Sequence, residues 1–263
     1  MSYSCYTIIE TLDIWAVHFE IIFLFSQTAK KCKNPVDVGF IVDSSGSLRR
    51  QYGKEKEFVK ALADTFSISK DGSRGGVITF SWNAELSVKF SDYESASDFN
   101  KAVDGLPLFG HTTRIDKALL LARDELLKAK NGARANVPKL LVLLTDGAQT
   151  ADADAVDPGD IAAEIRQSGV KLVVIGIGKK VDSKELLHMA GEKSNLYQAS
   201  NFDELKSSAF VESVSKTGCD LCKFCTSSVF IIVSYVENVI DLNWMDFSWS
   251  SANSLLFVSL NLR

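Results

Sequence analysis

Between residues 36 and 217 the hydrophobic positions fall into two alternating patterns. Four short runs are nearly continuous: DVGFIV (37–42), GGVITFS (75–81), KLLVLLT (139–145) and VKLVVIGI (170–177). Unbroken Val/Ile/Leu runs of this length are what strands buried on both faces require. Between them lie stretches of helical period. GKEKEFVKALADTF (53–66) puts Phe58, Val59, Leu62 and Phe66 on one stripe, and 114–129 does the same with Ile115, Leu119, Ala122 and Leu126. Further helical stretches run through 96–104, 158–168, 183–191 and 202–216. AELSVKF (84–90) instead alternates and follows a short Asn-containing turn, the pattern of an antiparallel edge strand. Strand–helix alternation at crossover spacing predicts one doubly wound, Rossmann-like α/β domain. Its sheet is mostly parallel, with one antiparallel edge strand and helices on both faces.

Sheets of this kind bind ligands beyond the carboxyl ends of their strands, where the strand order reverses. The loops expected there are rich in oxygen. The first run ends in DSSGS (43–47), the third in TDGAQT (145–150), and LFGHTTRIDKAL (108–119) brings Thr112 and Thr113 to the start of a helix. Any one of these segments alone reads equally as a turn or a helix cap. Together they place Asp43, Ser45, Ser47, Thr113 and Asp146 at one end of the sheet. Two carboxylates and three hydroxyls make a hard, all-oxygen donor set, suited to Mg2+, with Mn2+ or Ca2+ as alternatives, and unsuited to zinc or copper. With only two acids the ion keeps positive charge and an open position for a partner's carboxylate. Gly46 is expected to permit the tight bend.

DVGFIVDSSGS, GHTTR and LLVLLTDG together resemble the von Willebrand factor type A domain family, including its collagen-associated, matrilin-like and integrin-inserted members. The resemblance covers roughly 36–217. It implies a metal-ion-dependent adhesion site in which Asp43, Ser45 and Ser47 match the first loop. Thr113 matches the distal threonine, ahead of Thr112, and Asp146 matches the distal acid. It also implies an extracellular matrix or cell-surface protein partner, with collagen-like proteins among the candidates, that supplies an acidic side chain. Ile115 and Asp116 depart from the family's Thr and Gly; Asp116 is expected on the solvated face of its helix. His111 and Thr112 are expected at the rim of the site.

Composition narrows the setting. A net charge of -4 over 263 residues gives no electrostatic case for nucleic acid or an anionic membrane surface. The cysteines lie only at positions 5, 32, 219, 222 and 225. That layout suits two domain ends stapled by a disulfide from Cys32 to Cys219 or Cys222, and hence an oxidising compartment. CDLCKFC (219–225) lacks a nearby fourth ligand for a closed zinc site. The expected organisation is a possible signal or N-terminal segment (1–31), the A domain (32–222) and an unassigned tail (223–263). IIFLFSQTA (21–29) resembles the end of a secretory apolar region, although Glu10, Asp13 and Glu20 precede it where positive charge is usual. The run SSVFIIVSYV (227–236) is followed by Glu237 and Asp241, too soon for a spanning helix.

Other motifs carry less. VVIGIGKKV (173–181) lacks the third glycine of a dinucleotide fingerprint and reads as a strand end and turn. DADAVDPGD (152–160) puts Asp157 where a calcium loop needs Gly, and reads as a solvated loop leading to a helix start at Asp157–Pro158. No nucleophile–base pair or phosphate loop accompanies the carboxylates, so a non-enzymatic, secreted adhesion module is expected. The alternatives are a matrix-assembly domain with contacts away from the metal face, and a magnesium-dependent phosphoryl hydrolase.

Overall fold

The computed structural model describes residue 32, residues 34–222 and the backbone of strands 245–249 and 256–260. The apolar runs at 21–29 and 227–236 lie outside the described residues. Two compact units are distinguished, residues 1–219 and 220–263.

The first unit is built on a six-stranded sheet. Its strands are β1 (Asp37–Asp43), β2 (Arg74–Phe80), β3 (Ala84–Val88), β4 (Lys139–Thr145), β5 (Lys171–Ile177) and β6 (Leu196–Ala199). Their order is β3-β2-β1-β4-β5-β6, parallel except for the β2–β3 pair. All seven residues of β1 are buried, as expected of a central strand covered on both faces. The edge strand β3 follows β2 through a tight turn, with a register irregularity at Val77/Ile78. β6 was not apparent in the sequence: it is only four residues long, and LYQA shows no extended apolar run.

The helices are α1 (Tyr52–Phe66), α2 (Ala96–Asp104), α3 (Ile115–Leu121), α4 (Pro158–Gln167), α5 (Ser183–Ala190) and α6 (Ser208–Cys219). The predicted stripe of α1 is fully inward, with Phe58, Val59, Leu62 and Phe66 all buried. Caps fix several starts. The Ser95 side chain accepts from the Asp98 amide, and Asp157 accepts from Gly159 N–H with Pro158 at the first helical position. The stretch 114–129 is not one helix. After α3, residues Ala122–Leu126 widen into a π turn, with Leu127 N–H donating to the Ala122 carbonyl at 3.0 Å. Ile115, Leu119, Ala122 and Leu126 stay buried, so the apolar stripe outlasts the regular α geometry. The 202–216 stretch likewise splits into a short 3-10 turn at Glu204–Lys206 and α6.

At the amino end of the sheet, buried Asp37 takes the Arg134 guanidinium, with Nη2 at 2.6 Å, and the Arg134 amide at 2.8 Å. Cys32 and Cys219 form a disulfide with their Cα atoms 5.2 Å apart, resolving the pairing that the sequence leaves open. In the second unit, a 3-10 turn (Asp220–Cys222) precedes an antiparallel pair, β7 (Met245–Trp249) and β8 (Leu256–Leu260), with Met245 opposite Leu260. Among the described residues no helix is long and apolar enough to cross a membrane.

Candidate metal site and its protein-binding face

The strand order reverses between β1 and β4, and both strands end in acids at that point. Asp43 is the last residue of β1 and Asp146 directly follows β4. The Asp43 carboxylate is fully buried. Its Oδ1 accepts from the Ser45 amide at 2.8 Å and its Oδ2 from the Thr145 hydroxyl at 2.8 Å. From there a chain of oxygens runs outward. Ser45 Oγ lies 3.1 Å from Ser47 Oγ, and Ser47 Oγ donates to Asp146 Oδ1 at 2.7 Å. The alternation in DSSGS therefore works as a loop device that brings residues 43, 45 and 47 into one hydrogen-bonded chain, from buried Asp43 to exposed Ser47. Gly46 does not use the left-handed region; it opens a 3-10 turn, Gly46–Arg50. The bend that the sequence ascribed to its flexibility comes instead from that turn.

The third loop is hydrogen-bonded onto the first. Gly46 N–H donates to the His111 carbonyl at 3.0 Å, and Gly110 N–H donates to the Ser44 carbonyl at 2.8 Å. This seam places Gly110 and His111 consecutively at φ 75° and 67°. The glycine takes that conformation freely; the histidine holds it at a cost of order 1 kcal/mol. Thr113 is buried, and its Oγ1 would lie 3.5 Å from a Cβ placed on Gly147, beside Asp146. Thr112 and His111 are exposed at the rim. Thr113 is also tied to the β4–α4 loop, its amide donating to Thr150 Oγ1 at 3.1 Å and its carbonyl accepting from Thr150 N–H at 2.8 Å. Hydrogen bonds thus bring together Asp43, Ser45, Ser47 and Asp146 from two loops, while Thr113 approaches from the third at Gly147, next to Asp146.

Burial pushes the Asp43 carboxyl up to about 6; hydrogen bonds from Ser45 and Thr145 oppose the shift, and the Asp146 charge adds to it. Asp43 and Asp146 have no cation among their hydrogen-bond partners in the described residues, so their charges are balanced by none of these side chains. Among the described residues no group of three or more His, Cys, Asp or Glu could hold a metal. A cation here would rest on hydroxyls as much as on acids, a donor set that fits a hard ion and fits poorly with a nitrogen- or sulfur-preferring one.

One residue was misplaced by the sequence reading, and a second went unread. Asp116 is not solvated: it is 1% exposed and paired with Arg114, itself 2% exposed. The Arg114 guanidinium reaches Asp116 Oδ1 at 2.9 Å and Oδ2 at 2.8 Å, then Asp154 at 2.7 Å and Asp152 at 3.1 Å. Gln149 Nε2 and the Val156 amide also donate to Asp116. Burial by itself would raise the Asp116 carboxyl, but the Arg114, Gln149 and backbone donors outweigh it and hold it at about 2. The acid that departs from the family pattern therefore anchors the β4–α4 loop, with a buried arginine two residues earlier as the signal.

The second feature is Glu55 on α1. It is completely buried, and neither carboxyl oxygen has a hydrogen-bond partner among the described residues. Desolvation, reinforced by the charges of Asp43 and Asp146, drives its carboxyl well above the usual range. Folded chains therefore hold a proton that unfolded chains release above about pH 4.5. Stability must fall as pH rises through the window between those two pKa values. Glu55→Gln keeps the shape and removes the titration. Urea unfolding at pH 5 and pH 8 should show a smaller loss of stability in the variant than in the wild type; identical losses would refute the assignment.

The fold, the switch-point acids and the loop chemistry define a dinucleotide-fold-like α/β domain with an oxygen-lined face rather than a phosphate loop. The model of the von Willebrand factor type A domain matches residues 37–210, and the chain belongs to that family. It is 32% identical over 186 residues to human collagen alpha-6(VI) chain, covering 68% of this chain and 8% of that protein. Chicken (Gallus gallus) matrilin-3 is 29% identical over 166 residues, covering 61% of this chain and 35% of the relative. The chain therefore spans only a minor part of these extracellular matrix relatives. Among solved structures, mussel byssus proximal thread matrix protein 1 superposes with a TM-score of 0.68 at 26% identity, over 73% of this chain and 50% of that one. A further structure of that protein, with a zinc-occupied MIDAS motif, gives 0.64 at 30% identity, over 72% of this chain and 47% of that one.

Proposed function

We propose that this domain is a secreted, non-enzymatic adhesion module of the extracellular matrix, in which a divalent cation takes a partner's carboxylate. Asp43 and Asp146 supply the negative charge, Ser45, Ser47 and Thr113 supply neutral oxygens, and His111 and Thr112 border the open side. Mg2+ fits this donor set best, with Mn2+ and Ca2+ as alternatives; the zinc-occupied motif of the mussel protein supports use of a divalent ion at the corresponding place. When bound, the cation supplies an electrophilic position for an acidic side chain.

The observation that carries this reading is the convergence of the Asp43, Ser45, Ser47 and Asp146 oxygens from sequence-distant loops at the strand-order reversal. A second observation points to a protein partner. Trp82 (56%), Leu108 (37%) and Val156 (47%) are the large hydrophobic side chains left exposed among the described residues. All three sit in loops at the same carboxyl end of the sheet, where a partner surface would cover them. The disulfide supports an oxidising compartment, and the matrilin and collagen relatives support the matrix setting.

A pulldown from extracellular matrix extract tests it, run in Mg2+ and in EDTA with wild type and Asp43→Ala. Capture should fall by roughly a hundredfold on chelation and in the variant. The variant should stay folded, because it removes a buried acid that burial disfavours. Capture unchanged in EDTA would defeat the proposal.

A further inference from the structure

A cleft of about 220 Å³ opens beside the metal face, lined by Ser81, Trp82, Asn83, Ala84, Glu85 and Phe109. Its walls are joined to the site by hydrogen bonds and ring contacts. The Ser81 carbonyl accepts from the Arg114 amide at 2.7 Å, next to Thr113. Phe109 precedes Gly110, whose amide is bonded to Ser44, and the Trp82 indole meets the His111 ring edge-on at 6.4 Å between centroids.

The chemistry of the lining is specific. Trp82 and Phe109 supply aromatic surface, and Trp82 is the most exposed large hydrophobic of the described residues. Ser81 Oγ is buried with no hydrogen-bond partner among them. Glu85 is exposed, and no described residue pairs with its carboxylate. An apolar guest would cover that carboxylate without satisfying it, which is costly. A cationic side chain satisfies both kinds of surface at once, laying its stem and charge against the aromatic rings and its head against Glu85. The described cation beside the Trp82 ring, Lys117, does not do this. Lys117 lies 5.9 Å from the Trp82 ring centroid but is bonded to the Trp82 carbonyl and sits 3.7 Å from Asp154. It lines the neighbouring cleft, with Leu120, Leu121 and Asp124.

We infer that the Ser81–Glu85 cleft is a second recognition subsite, which takes a Lys or Arg side chain from the same protein segment whose carboxylate completes the metal. The preferred partner is then a segment carrying an acid and a base within a few residues of each other. This inference rests on the metal-carboxylate reading.

An array of immobilised peptides tests it, each with one Glu and one Lys at varied spacing, with Lys→norleucine and Glu→Gln counterparts. The full chain is applied in Mg2+ and in EDTA. At the favoured spacing, norleucine should weaken binding roughly fivefold for the wild type and leave Glu85→Gln unchanged. Glu85→Lys should reverse the preference, favouring a second acid over the lysine. EDTA-sensitive, Glu-dependent binding that is indifferent to the lysine, or a lysine preference that survives in Glu85→Lys, overturns the subsite and leaves the metal reading standing. Binding insensitive to EDTA and to Glu→Gln, or no binding at all, overturns both.

Discussion

Arg114→Ala is expected to destabilise the domain by about 3 kcal/mol and to weaken Mg2+ binding at a face the residue does not itself line. Arg114 is the sole cation bonded to Asp116 among the described residues, and both side chains are buried. Removing one member of a buried pair strands the other's charge, which typically costs about 3–5 kcal/mol. The lower end applies because the clamp is shallow, with Asp152 and Asp154 largely exposed on its outer side. The loop it anchors follows Asp146 and also carries Gln149 and Thr150, which hold the Asp116 and Thr113 amides. Loosening that loop therefore reaches two of the proposed ligands. Arg114→Lys retains charge but not the forked geometry, and should recover only part of the stability. The double variant Arg114→Leu/Asp116→Leu removes both charges and should be less destabilised than Arg114→Ala. Urea unfolding gives the stabilities, and calorimetric Mg2+ titration gives the affinity. A double variant less stable than the single one would show that the pair stabilises beyond cancelling its own desolvation.

The strands were legible because burial on both faces leaves nearly pure apolar runs, and β1, β2, β4 and β5 each show one. β6 and the π turn were not. A four-residue edge strand buries too little to leave a pattern, and Ala122–Leu126 keep a helical apolar stripe while changing their backbone hydrogen bonding. At the site, Asp43, Ser45, Ser47 and Asp146 could be read as neighbours because residues following strand ends at a switch point share one face, whereas Thr113, at a helix start, was set ahead of Thr112 only by the family resemblance. Asp116 was misplaced for an instructive reason. Helical periodicity assigns a charged residue to water unless a partner is known, and the partner depends on side-chain direction. Asp152 and Asp154, which complete the clamp from 38 and 40 residues away, show no local signal of pairing with Arg114. Glu55 was invisible for the opposite reason: a lone acid within an amphipathic helix looks like part of its polar face, yet here it is enclosed.

Replacing Cys32 and Cys219 together by serine should cost about 5 kcal/mol, the largest single loss of stability expected in this domain. The bond links positions separated by 187 residues, and chain-entropy arguments make the stabilisation grow with the logarithm of the closed loop. Cys32 N–H donates to the Thr65 carbonyl at 3.1 Å, and Cys219 is the last residue of α6. That helix packs Phe210 against Phe58 of α1 at 5.8 Å and against Tyr197 of β6 at 6.1 Å. Losing the bond should thus fray α6 and the 32–36 segment before the central sheet opens. Hydrogen exchange should show faster exchange at α6 with β1 and β4 still protected, and urea unfolding should show the lower midpoint. The metal face lies at the opposite end of β1 from Cys32, so Mg2+ affinity measured below the unfolding transition should change by less than about twofold. A large loss of Mg2+ affinity in a folded variant would mean that the disulfide holds the site as well as the fold.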